Sequence, residues 1–123
     1  MHTGVVDVDK FRSGIDHIIM AMQVPRPRPR ARRSPEEVRE VRRFMGDVKD
    51  IVEGAGIPLD DPTIKPIITE VEEAYRDRED GEVRRKLRSL GEVIRRILRE
   101  RTPEQSKTEI ESGIRELEQL PPN

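Results

Sequence analysis

The chain has 123 residues, of which 33% are hydrophobic and 40% charged, with a net charge of -1 and a mean hydropathy of -0.79. That length admits one domain, and near-neutrality combined with periodic apolar residues excludes wholesale disorder, which needs low hydrophobicity and large net charge together. The absence of cysteine excludes disulfides, thiolate metal sites and a cysteine nucleophile.

Val8, Phe11, Ile15, Ile18 and Met22 recur at three- and four-residue steps, which predicts a first amphipathic helix from about Asp9 to Met22 within residues 1–24, capped by Asp7 or Asp9. Proline alternates with arginine over residues 25–30, and Ala31-Arg32-Arg33 completes the stretch 25–33. Prolines lack the amide proton a helix needs, so this stretch is expected to be an extended, polyproline-like basic arm. Residues 34–123 are expected to form a helical bundle. Ser34-Pro35-Glu36-Glu37 has the form of a capping box with proline at the first helical position. It opens a second helix carrying Val38, Val41, Met45, Val48 and Val52, which Gly54-Ala55-Gly56 ends. A third helix begins near Thr63 and is expected to close at Asp80-Gly81. The fourth, 82–101, has a packing stripe of Val83, Leu87, Leu90, Ile94, Ile97 and Leu98 opposite Arg84, Arg85, Arg88, Arg95, Arg96 and Arg99. Thr102-Pro103-Glu104-Gln105 repeats the capping signal and starts a fifth helix, stopped by Pro121-Pro122. No segment alternates as a strand does. The predicted fold is all-α: a small bundle of about five helices with an extended Pro/Arg-rich arm between helices one and two.

Helices two to four alone would bury too little apolar surface to offset the entropy of ordering them. Helices one and five, or another subunit, must complete the core. Whether helix one folds back or docks elsewhere is left open by the proline arm. Phe11, Ile15, Ile18, Met22, Ile114 and Leu117 are therefore candidates for a partner interface in a homo- or hetero-oligomer.

Charge is segregated along the chain: residues 26–59 carry +3, 60–82 carry -6, 83–101 carry +6 and 102–123 carry -3. The chain has 19 arginines against 5 lysines, a charge-rich composition resembling that of heat-adapted proteins, although a GC-rich genome gives the same bias. Arg26, Arg28, Arg30, Arg32 and Arg33 in the arm form the stronger nucleic-acid signal, because a stiff cationic arm orders cheaply along phosphates. The second signal is the arginine face of helix four, where Arg84, Arg88, Arg95 and Arg99 line one edge. Two alternatives stand beside these: a solvated or peptide-docking linker for the arm, and cancellation of the helix-four arginines by the acids of helix three, Glu70, Glu72, Glu73, Asp77 and Glu79. With only Phe11, Phe44 and Tyr75 as aromatic residues, backbone contact without base reading is the expected mode.

Nothing in the chain carries a catalytic pattern. There is no Ser–His–acid set, no lysine nucleophile and no glycine-rich phosphate loop, so a non-enzymatic role with no cofactor is expected. His2 and His17 are the only histidines, too few for a metal site. Residues 77–82 fail as a calcium loop because Gly81 at the sixth position would place Arg76 at the first ligand position. The longest apolar run, Ile18 to Met22, is far too short for a membrane span, and the expected location is the cytoplasm.

Residues 34–101 resemble the small, all-helical subunit of type III-A CRISPR effector complexes. The likeness rests on the SerProGluGluValArgGluValArgArgPheMet start, the acidic helix ending AlaTyrArgAspArg, and the following helix with paired arginines. The resemblance implies a non-catalytic subunit stacked along a guide–target duplex. It implies RNA contact for some of Arg42, Arg43, Arg78, Arg84, Arg85 and Arg88. The expectation is a nucleic-acid-binding subunit of a larger assembly; the alternative is a protein-binding adaptor or homo-oligomeric scaffold.

Overall fold

The computed structural model describes residues 6–23, 35–101 and 104–120. These form five helices and no strand: α1 (Val8–Gln23), α2 (Pro35–Gly54), α3 (Lys65–Arg76), α4 (Asp80–Arg101) and α5 (Glu104–Glu118). The arm at 25–33 and the capping residues Ser34, Thr102 and Pro103 lie outside the described residues.

The helices form a closed ring, each packing on the next and α5 returning to α1. Consecutive helices are antiparallel, as the pairings Asp7 with Gly54, Arg78 with Glu37, Lys86 with Glu70 and Arg88 with Leu120 require. With five members, one neighbouring pair must run parallel. That pair is α1 and α5, with Arg12 bonded to Glu116 and Phe11 beneath Gly113.

Each predicted stripe lies in one shared core. Phe11, Ile15 and Ile18 are fully buried with Val48, Ile51, Leu87, Leu90, Ile94, Ile114 and Leu117. Helix one thus docks onto its own chain, and Phe11, Ile15, Ile18, Met22, Ile114 and Leu117 are core residues rather than a surface that holds a partner. The physical reason is local. A Cβ on Gly54 would stand 2.6 Å from the Phe11 Cα, and one on Gly113 would stand 2.9 Å from its Cζ. Two side-chain-free backbones let α1 approach both flanking helices. Asp7 fixes the entry: its carboxylate accepts from the Lys10 amide at 3.1 Å, and its own amide donates to the Gly54 carbonyl at 2.8 Å.

Two helix ends share one device. After α2, the Gly56 amide donates to the Glu53 carbonyl and the Ile57 amide to that of Val52, with Gly56 left-handed at φ 79°. After α3, the Arg78 amide donates to the Tyr75 carbonyl and the Glu79 amide to that of Ala74, with Arg78 at φ 58°. Both are Schellman closures, but the second puts arginine where glycine is usual. This is why α3 ends before the expected Asp80-Gly81, and why Gly81 falls inside the first turn of α4. The arginine is held by its side chain, 3.5 Å from Glu37 and 3.9 Å from Glu40 on α2.

Gly54→Ala is expected to destabilise the fold by about 1–3 kcal/mol through overpacking against Phe11, read by chemical denaturation. Arg78→Ala is expected to be less stable than Arg78→Gly by about 1 kcal/mol, because both lose the ion pairs and only alanine retains the left-handed strain. Equal stabilities would show that the backbone relaxes at that turn.

Candidate nucleic-acid interface

The arginines of α4 divide into two groups by where the ring places them. One edge of the helix faces α5, which comes close enough that a Cβ on Gly91 would meet Ile114 at 3.0 Å. Arg84, Arg88 and Arg95 lie on that edge. Arg84 is only 8% exposed, and its Nη2 donates to the Met22 carbonyl at 3.3 Å. Arg88 Nη2 donates to the Leu120 carbonyl at 2.8 Å. Met22 is in the last turn of α1, and Leu120 lies just beyond α5. Each guanidinium thus serves a helix C-terminus, where carbonyls lack intrahelical partners and the dipole favours a cation. Arg84 Nε and Nη1 and Arg88 Nε are buried without a partner among the described residues.

Arg95 is committed further. Its Nε donates to Glu111 at 2.7 Å and its Nη2 to Glu118 at 2.6 Å, so one guanidinium ties two turns of α5 to α4. These bonds hold Glu118 below the ordinary carboxylate value and push Arg95 further up, each against a smaller opposing effect of burial. The predicted edge therefore exists, but its first three members are internal. The carboxylates that neutralise Arg95 belong to helix five, not to the acidic helix three. Helix three contributes Glu70, 3.3 Å from Lys86.

Arg85, Arg96 and Arg99 face solvent. Arg85 is within 3.2 Å of Glu82 yet 73% exposed, so that pair is weak. Arg96 and Arg99 have no ion-pair partner among the described residues. Arg26, Arg28, Arg30, Arg32 and Arg33 lie outside the described residues.

A second set of cations was not singled out by spacing. Arg39, Arg42, Arg43 and Lys49 are exposed on the outer face of α2, and none has an ion-pair partner among the described residues. The resemblance pointed to Arg42 and Arg43, but the pattern in the sequence offered its own clue. Arg42 has Val38 and Gly46 at four residues' distance, so no carboxylate stands where a helical ion pair would form. Arg43 has Asp47 there, but Asp47 turns to His17, 3.3 Å away. Burial raises Asp47 above its ordinary value, and the contact with His17 opposes that shift.

All three aromatic rings of the chain are in the core. Phe11 is fully buried, and Phe44 and Tyr75 stack at 3.8 Å with their planes 10° apart. None is open to stack on a base. Among the described residues no group of three or more potential ligands could hold a metal ion, and no helix is long and apolar enough to cross a membrane. Compared with protein-family models, curated proteins and solved structures, the chain matches none.

The depressed Glu118 carboxyl contributes stability that is present above its ordinary value of 4.5 and lost as pH falls through the lower folded value. Glu118→Gln is expected to lower the melting temperature near neutrality, by the equivalent of about 1 kcal/mol or less because the pair is partly solvated. The difference should shrink as pH falls below 4.5. A constant difference down to strongly acid pH would assign the effect to packing instead.

Proposed function

We propose that the chain is a non-catalytic helical subunit that binds the sugar–phosphate backbone of a nucleic acid, RNA in the first instance, within a larger assembly. The observation that carries this reading is the outer face of α2, where Arg39, Arg42 and Arg43 stand exposed and none is in an ion pair within 4 Å among the described residues, Arg43 acting on Asp47 only at longer range. They continue, in sequence, the five arginines of the 25–33 stretch. Guanidinium groups bind phosphate oxygens in a planar, two-pronged geometry. With every aromatic ring of the chain buried, contact falls to phosphate and sugar rather than to bases, and binding is insensitive to sequence. The resemblance of residues 34–101 to the small CRISPR effector subunit points the same way.

A second reading, a purely protein-binding scaffold, is favoured by the internal use of Arg84, Arg88 and Arg95 in α4. The two readings separate in one titration. Single- and double-stranded RNA and DNA of mixed sequence are measured against the protein over a salt series. The expected result is an affinity that falls steeply with salt, by a log–log slope of about 0.7 to 0.9 per phosphate contact. Charge reversal at Arg39, Arg42 and Arg43 should weaken binding at least about tenfold. Reversal at Arg26, Arg28 and Arg30 should weaken it again. Absence of salt-sensitive binding at micromolar protein leaves the scaffold reading in its place.

A further inference from the structure

Most glycines inside the helices have a packing reason, and Gly46 has none. Gly14, Gly54, Gly91 and Gly113 each lie where an added Cβ would press on a neighbour, whereas at Gly46 and at Gly81 no described atom comes within 4 Å, and of these two only Gly46 is in mid-helix, Gly81 being in the first turn of α4. Gly46 is exposed in the middle of α2, the twelfth residue of a 20-residue helix. Glycine at such a place destabilises a helix by roughly 0.5–1 kcal/mol relative to alanine. With no side chain and no described neighbour, Gly46 leaves the mid-helix backbone open to an approaching group.

Its surroundings indicate what approaches. At about 100° per residue, Arg42 and Lys49 fall on one flank of Gly46, and Arg39 and Arg43 on the other. All four are exposed and make no ion pair within 4 Å among the described residues, though Arg43 acts on the Asp47 carboxylate at longer range. Asp50 follows one turn later and ends the cationic stretch. We propose that Gly46 is a notch over which the sugar–phosphate backbone of a nucleic-acid strand crosses α2, gripped from both sides by Arg42, Arg43 and Lys49. This rests on the backbone-binding function above and names the site within it. Without a side chain at 46, a phosphate can settle against the helix barrel. The long guanidinium stems then reach around it, where a bulky residue would hold the strand out of their bidentate range. The exposed position also means that filling the notch does not disturb the core.

The test is a comparison of wild type, Gly46→Ala, Gly46→Leu, Gly46→Gln and Arg42→Gln. Each is titrated with an oligouridylate about twenty nucleotides long over a salt series, alongside a thermal melt. Gly46→Leu and Gly46→Gln are expected to melt no lower than wild type, since both residues favour helix, yet to bind about tenfold more weakly. Gly46→Ala, with one methyl, should melt higher and lose only about twofold to threefold in affinity. Arg42→Gln should reduce the salt slope by about 0.7, the value of one lost contact on a single strand. If Gly46→Leu and Gly46→Gln bind like wild type while Arg42→Gln weakens binding, the notch is wrong and the α2 interface stands. If wild type itself shows no salt-dependent binding, the interface falls and the notch with it.

Discussion

The bundle is closed by the fit of Phe11 between two backbones without side chains. Gly54 at the end of α2 and Gly113 in α5 both face that residue, so α1 reaches the centre of the ring instead of lying across its surface. Ile15 and Ile18 follow it into the core. The entry hydrogen bond from Asp7 to the Gly54 carbonyl sets the start of α1 in register with the end of α2. The remaining contacts of the chain presuppose this placement. Only with α1 beside α5 do Met22 and Leu120 arrive at the same edge of α4.

Closure creates a demand that the arginines of α4 meet. Two helix ends converge on that edge, and a carbonyl buried without a donor is costly. Arg84 and Arg88 supply the donors, and Arg95 extends the same edge by clasping Glu111 and Glu118. Among the described residues, two of the Arg84 nitrogens are buried without partners. A side chain that serves one carbonyl with one of its forks is anchored by position more than by a full set of bonds. The acid of α5 and the base of α4 are thus a structural pair, and the +6 charge of residues 83–101 overstates what α4 offers outward.

Much of the fold was legible because helix signals are local. The period of Val83, Leu87, Leu90, Ile94 and Leu98 fixed the buried face of α4, and proline with glycine set the breaks. Ring closure was not legible, because the approach of Gly54 and Gly113 to Phe11 joins residues separated by about a third of the chain and by most of it, and no period encodes it. The boundary of α3 was missed for a related reason. Arg78 adopts a glycine-like backbone only because Glu37 and Glu40, from another helix, stand ready to receive its side chain. The edge of Arg84, Arg88 and Arg95 was visible in its spacing, but spacing gives the direction a side chain leaves its helix and not what waits there. An apolar stripe of about 100° also understates how much of a helix is covered when two neighbours flank it.

The same reasoning explains why α2, less basic than α4, presents the more open cations. Helix α2 meets α1 over most of its length and α3 more sparsely, and among the described residues Glu72, the α3 acid beside Arg42 and Lys49, is paired with Arg76 of its own helix. Of the acids nearest to them along the helix, Glu40 stands 3.9 Å from Arg78, and Asp47 contacts His17 of α1. What decides whether an arginine is open to a polyanion is therefore whether a neighbouring helix ends, or places an acid, within reach of its guanidinium. Helix α4 sits where two helices end; the outer face of α2 sits where none does.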